Sequence, residues 1–290
     1  MKLPIAFVVV WSTGYIAGPI ALRHADPLGM LALRFVLATV AFALLALILR
    51  SPWPKTRAEW VHITVAGLLV QGVQFGCVYG GMSLGVSAGV TALIVGSMPL
   101  VVALLGGWTL GERVAPRQWL GLVLGLAGVF VVVLSRSSQL GATSLLGLGL
   151  VAAGALALAG GTVYQKRFVD RIDLFTGGTL QSAISALALL VLAVATHARI
   201  TPGPEFDLAI LWIVCVNSLG AASMMLLMLK ADEANRVAGW FFLIPPVSAA
   251  LSALFLGERF TAVTLAGFAI AATGVALTSR TPAAPALRAR

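Results

Sequence analysis

Long apolar runs alternate along this chain with short stretches that hold its charges, glycines and prolines. Ten runs fall near 3–22, 28–49, 60–81, 86–108, 115–135, 143–164, 174–196, 208–229, 235–256 and 262–279. A helix crosses hydrocarbon with roughly 20 mainly apolar residues, so each run predicts one spanning helix. The breaks are Arg23 to Pro27, Arg50 to Glu59, the Gly111-Glu112-Arg113 turn, Arg136 to Ala142, Lys166 to Asp173, His197 to Asp207, Lys230 to Ala234 and Gly257 to Thr261. The stretch Ser83 to Gly85 is a break without charge. The first run follows Lys2 as a signal peptide would, but it holds Trp11, Tyr15 and Pro19 and lacks a clear small-residue cleavage site. It therefore reads as a retained helix. Residues 281–290, rich in Pro, Ala and Arg, read as a disordered cytoplasmic tail.

Composition says which solvent these helices meet. Of 290 residues 60% are hydrophobic and 10% charged, where a soluble domain carries about 25% charged residues. The mean hydropathy is +1.02. This excludes a soluble fold, a disordered chain and a receptor with a large extramembrane domain, and predicts an all-α polytopic membrane protein. Cys77 and Cys215 lie within apolar runs, and His24, His62 and His197 are far apart, so neither a disulfide framework nor a metal or cofactor site is expected. With the amino terminus inside, fourteen of the nineteen lysines and arginines fall on the inner side and five on the outer: Arg23, Arg34, Arg136, Arg199 and Arg259. The positive-inside rule then places both termini in the cytoplasm of a bacterial-type inner membrane. A basic face beside anionic lipid accounts for the net charge of +9. No basic patch is interleaved with aromatics, so nucleic acid is not an expected partner.

The strongest pattern is an internal repeat. An offset of 146 residues aligns Leu110-Gly111-Glu112-Arg113 with Leu256-Gly257-Glu258-Arg259 without gaps. It also aligns Ala92 with Ala238, Pro99 with Pro245, Gly121 with Gly267 and Gly128 with Gly274. Over 91–133 against 237–279, 12 of 43 positions are identical. The chain thus divides into a five-helix repeat at 1–137 and a second at 138–280. Five is odd, so the second enters the membrane inverted. Inverted repeats are the architecture of many secondary transporters, because two alike, opposed halves can exchange conformations about a shared central site.

Ten spans in two halves, a Pro in the fourth helix of each (Pro99; Pro245-Pro246), then Leu-Gly-Glu-Arg and a Gly-patterned fifth helix: this pattern resembles the drug/metabolite transporter superfamily, in its EamA branch of bacterial exporters. The Trp11-Ser12-Thr13-Gly14 entry and the aromatic-bearing helices are most similar to YddG-type amino-acid exporters. The resemblance implies a helical basket whose central cavity is lined by helices 1, 3, 4, 6, 8 and 9 and worked by alternating access.

Polar side chains are costly in hydrocarbon and usually face the bundle interior or a wet cavity. Gln71, Gln74, Phe75 and Val78 share one helix face, where two amides and an aromatic could hold an amino or carboxylate group. The plainer alternative is interhelical hydrogen bonding, worth about 0.6 kcal/mol. Asn217 is the offset partner of Gln71. Trp11 and Tyr15 stand one turn apart, reading equally as a stacking platform for a flat or apolar substrate and as interfacial aromatics. Tyr79, Ser97, Tyr164 and Trp240 complete the candidate substrate-binding set, the tyrosines and Trp240 reading equally as anchors or packing. Met224, Met225 and Met228 read as core. Pro99, Pro245 and Pro246 remove backbone donors, as hinges or as static kinks. Gly121, Gly125 and Gly128 permit close helix approach.

Two motifs are set aside. Gly85-Val86-Ser87-Ala88-Gly89 spells G-x-S-x-G, but a nucleophile elbow needs a strand–turn–helix. Gly147-Leu148-Gly149 with Gly154 misses the dinucleotide spacing. No enzyme is expected. No acid lies near a span midpoint, which argues against coupling through a buried carboxylate. Basic residues are missing from the span centres too, Arg34 coming nearest at two turns into the second helix, so the central path reads as uncharged. The expectation is an exporter of small neutral or zwitterionic metabolites, amino acids including aromatic ones foremost. A multidrug or nucleoside-like exporter and a non-transporting membrane scaffold are the alternatives. The expected partners are a small-molecule substrate and the lipid bilayer. With both halves in one chain, a monomer suffices to form a pathway.

Overall fold

The computed structural model describes residues 2–109, 116–137, 142–169, 172–231, 237, 240–258 and 260–279. The Leu110-Gly111-Glu112-Arg113 turn, Arg259 and the 281–290 tail lie outside them. The described residues form helices joined by short turns, with no strand beyond one isolated bridge between Ala25 and Ile200.

In chain order the helices are α1 (Lys2–Leu22), α2 (Pro27–Ile48), α3 (Arg57–Ser83), α4 (Ala88–Gly96 continued by Met98–Thr109), α5 (Pro116–Ser137), α6 (Ala142–Phe168), α7 (Leu174–Ala195), α8 (Pro204–Trp212, Ile213–Ala221 and Ala222–Ala231), α9 (Ile244–Phe255, entered through a tight turn at Phe241–Leu243) and α10 (Ala262–Ser279). Among the described residues seven helices are long and apolar enough to cross a membrane. The shorter apolar stretches Trp119–Val132, Ile244–Phe255 and Ala262–Gly274 fall in α5, α9 and α10. Helix starts follow their sequence cues. Thr56 and Glu59 make a reciprocal capping box on α3, Asp173 caps α7 through Phe175 and Thr176, and Pro27 and Pro204 occupy first-turn positions whose missing N–H costs nothing. Hydrogen bonds from the Thr56 and Lys55 amides hold the exposed Glu59 carboxyl below its ordinary pKa.

The 146-residue offset recurs in the irregularities. α3 widens into a π-helical stretch at Leu68–Val73, and α8 does so at Ile213–Ala221, which covers the offset copies of those residues. α4 breaks at Ser97, and its counterpart breaks at Phe241–Leu243, where the offset copy of Ser97 is Leu243. Packing follows the same rule: α2 packs on its copy α7, α5 on α10 and α4 on α9. The pairings of α1 with α8 and α9 are mirrored by those of α6 with α3 and α4.

Pro99 and Pro245-Pro246, read as hinges or static kinks in the fourth and ninth helices, stand at the beginnings of the helical segments Met98–Thr109 and Ile244–Phe255. The discontinuities precede them, and in α4 Ser97 donates its hydroxyl to the Ile94 carbonyl at 2.6 Å. A Cβ on Gly96 would strike the Pro245 ring, so α4 and α9 touch at their paired breaks.

Two straps close the end opposite Lys55, Lys166 and Lys230. Thr201 N donates to the His24 carbonyl at 2.7 Å, Asp26 N to the Arg199 carbonyl at 2.9 Å, and Glu205 accepts from Arg23 at 3.3 Å. In the second, Glu258 of the repeated turn accepts from Ala88 N at 2.9 Å and Gly89 N at 3.3 Å, a carboxylate across the free amides of the α4 amino terminus. Gly257 beside it has φ +66°, a conformation that favours glycine and explains its place in the motif. Glu258→Ala is expected to cost about 1 kcal/mol and to raise amide exchange at Ala88 and Gly89 while the basic end stays protected, as hydrogen exchange would register.

Candidate functional site

Two cavities lie at the middle of the bundle and share walls. The first, toward the basic end, includes Trp11, Arg34, Phe35, Gln71, Phe75, Gln165, Gln181, Ser182, Asn217, Ser218 and Met225 in its lining. The second adjoins it through Trp11, Arg34, Phe75 and Asn217 and adds Gly14, Tyr15, Gln74, Val78, Tyr79 and Met82. They hold about 490 and 420 Å³ of atom-free space, mouths included. A third cavity at the basic end, bordered by Lys166, Asp173 and Lys230, meets the first at Gln165, Gln181 and Leu226.

One wall is aromatic. The Trp11 ring lies 5.1 Å from Phe241 in an edge-on arrangement, 5.3 Å from Phe7 and 6.4 Å from Phe75. Phe75 continues the surface to Phe35 at 5.9 Å and Tyr79 at 6.0 Å. The Tyr79 hydroxyl donates to the Gly14 carbonyl at 3.4 Å.

The other wall is polar. The widened turn of α3 carries Gln71, whose Nε2 donates to Gln181 Oε1 at 3.5 Å while its Oε1 accepts from the Ser182 hydroxyl at 3.1 Å. The matching turn of α8 carries Asn217, whose Nδ2 donates to the Val10 carbonyl at 2.7 Å. Among the described residues three buried amide oxygens that line these cavities have no hydrogen-bond partner, Asn217 Oδ1, Gln74 Oε1 and Gln165 Oε1. π-turns are frequent at functional sites because they break the regular ladder. Here they turn an amide inward from each half.

Seven of the ten expected residues thus come together: Trp11, Tyr15, Gln71, Gln74, Phe75, Tyr79 and Asn217. Three do not line these two cavities. Ser97 is tied to its own helix. Tyr164 hydrogen-bonds His62 at 2.7 Å beside Phe168, and Trp240 is partly buried against the apolar core. Of the methionines read as core, Met225 and Met228 are buried in it and Met224 packs against it, and Met225 also reaches the lining of the first cavity. The expected helix set changes too. Among the described residues α4 and α9, pressed together at Gly96 and Pro245 behind the Trp11–Phe241 contact, contribute none to either cavity, whereas α2 and α7 contribute Arg34, Phe35, Gln181 and Ser182.

The centre is also not uncharged. Arg34 is 2% exposed and stands in both cavity walls, not at the outer surface where its position near the start of α2 had placed it. Its Nε donates to the Ser218 hydroxyl at 2.9 Å and its guanidinium carbon lies 4.0 Å from the Phe75 ring centre.

The EamA-like transporter family matches residues 3–134 and, a second time, 145–280. The chain belongs to this family. EamA-type proteins are drug/metabolite transporters, so the chain is a multi-pass membrane transporter with a small-molecule substrate, and it is not an enzyme. An uncharacterized transporter of Bacillus subtilis, YvbV, is 30% identical over 95% of this chain and 90% of its own length. A protein of Escherichia coli K12 named a probable amino-acid metabolite efflux pump is 26% identical over 94% of this chain and 92% of its own. A solved crystal structure 20% identical in sequence superposes with a TM-score of 0.72, covering 96% of this chain and 95% of that one, and shares the fold.

Proposed function

We propose that this EamA-like transporter exports small zwitterionic and neutral metabolites, amino acids including aromatic ones among them, by alternating access of the central cavity. The observation that carries the reading is the pairing of an aromatic wall, Trp11 with Phe75, with buried amides whose oxygens at Gln74 and Asn217 are unpartnered. Such a site suits a molecule with an apolar body and a polar head. The name of the Escherichia coli relative points the same way. The working parts are the repeats 1–137 and 138–280, inverted in the membrane, with both termini on the cytoplasmic side and one chain forming the whole pathway. Among the described residues no carboxylate borders the two central cavities, so transport runs as facilitated exchange without a buried proton carrier.

The test is counterflow of radiolabelled L-phenylalanine and L-leucine into proteoliposomes, with and without a proton gradient. Saturable exchange that persists when the gradient is collapsed is expected. A strict requirement for the gradient overturns the uncoupled mechanism. Transport of nucleosides or cationic drugs with no amino-acid flux overturns the substrate class.

A further inference from the structure

Arg34 is a buried cation that the fold itself does not require. The offset copy of Arg34 is Leu180, which packs in a small apolar cluster, so the scaffold accepts an apolar side chain at that position. Among the described residues no carboxylate lies within ion-pair distance of it. The nearest acid along its helix is Asp26, eight residues earlier, which is about 12 Å of helix, and Asp26 accepts from the Arg199 backbone amide at 2.8 Å. A desolvated charge without a counter-charge is among the costliest arrangements a protein interior can hold.

The neighbours satisfy part of the group. Ser218 takes the Nε–H, and Phe75 covers the flat face, which uses none of the N–H donors. The Tyr79 hydroxyl, which donates to the Gly14 carbonyl at 3.4 Å, is the guanidinium's other polar neighbour, within electrostatic and hydrogen-bonding reach of it. Nη1 is buried with no hydrogen-bond partner. The same cavity wall holds Gln74 and Asn217, whose side-chain oxygens are likewise unpartnered. The site therefore offers an unused planar donor and two unused acceptors beside one aromatic surface.

Building on the reading above, we propose that Arg34 is the receptor for a substrate carboxylate, and that Gln74 and Asn217 receive the ammonium of the same molecule. The guanidinium edge matches a carboxylate in shape and charge, and the pair neutralises inside the membrane what neither partner could carry alone. The preferred substrate class is then the free α-amino acid with an apolar or aromatic side chain. Its amide, which lacks the carboxylate, and the corresponding carboxylic acid without an ammonium are both disfavoured.

The experiment measures binding and counterflow by the purified full chain with three probes: L-phenylalanine, L-phenylalaninamide and 3-phenylpropionate. Wild-type protein is expected to prefer L-phenylalanine to its amide by about tenfold or more, the size of one charge-assisted hydrogen bond. Arg34→Gln should reduce that preference to about twofold or less, and Arg34→Lys, which keeps the charge and loses the fork, should restore part of it. A wild-type protein that binds the amide as well as the acid overturns the assignment, and this comparison needs no variant. An Arg34→Gln protein that keeps the full preference overturns it as well. In both cases L-phenylalanine is still transported and the exporter reading stands. If no amino acid in the panel is bound or moved, that reading falls and takes the assignment with it.

Discussion

Gly128→Ala is expected to separate α5 from α10 and to destabilise the protein by about 2 kcal/mol. A Cβ there would stand 2.5 Å from the Ala271 backbone nitrogen and 2.6 Å from the Gly267 carbonyl oxygen. The obstacle is backbone and cannot rotate away. The pair is reciprocal: a Cβ on Gly274, the offset copy of Gly128, would strike Gly121 and Gly125. Close approach through small residues is how membrane helices gain contact without a hydrophobic drive, so losing it at one crossing loosens the only described partner of comparable extent that α5 has. Gly149→Ala is the matched control. Its Cβ would meet nothing within 4 Å, so its helix propensity gain of about 1 kcal/mol is retained. Thermal unfolding and size-exclusion recovery in detergent check both. A Gly128→Ala protein as stable as Gly149→Ala would show that the crossing is looser than the structure has it.

The ten spans and the duplication were legible because they rest on run length, turn charges and a gapless polar match, which packing does not alter. The face each helix presents was harder to read. On α2 the buried residues Met30, Leu31, Phe35, Ala38 and Phe42 and the outward residues Val36, Leu37, Val40, Leu44 and Leu47 are all apolar. Lipid and protein core make the same demand, so the periodicity that marks a buried face in water carries little information here. That is why Arg34, on the face of Leu31, Phe35 and Ala38, read as a residue near a helix end. Its neighbours at positions 31, 35 and 38 gave no hydropathic contrast, and its partners Ser218 and Phe75 come from distant segments. The π-turns were equally invisible, since they arise from how α3 and α8 pack. Gln71 and Asn217 were found without them because an amide stands out in any apolar run. Ser97, Tyr164 and Trp240 passed the same filter but satisfy themselves elsewhere, through Ile94, His62 and the apolar core.

Asn217→Ala is expected to lower L-phenylalanine counterflow tenfold or more, on the order of one hydrogen bond to a charged group, while leaving the folded protein nearly intact. The structural loss is two interhelical bonds, Nδ2 to the Val10 carbonyl at 2.7 Å and to the Thr13 hydroxyl at 3.4 Å, and such bonds contribute about 0.6 kcal/mol each in membranes. The functional loss is larger because Oδ1 has no protein partner and Asn217 lines both central cavities. Gln71→Ala separates the two contributions. Both ends of that amide are engaged by α7, through Gln181 and Ser182, so its removal should affect stability and flux in similar proportion, with a several-fold loss of transport. Thermal midpoints measured beside initial counterflow rates distinguish the cases: Asn217→Ala should fall well below the stability–flux relation set by Gln71→Ala. If Asn217→Ala, Gln71→Ala and Trp11→Ala all left every measured flux unchanged, the central cavity would not be the transport path. The aromatic and amide lining would then be packing between the helices of the two halves.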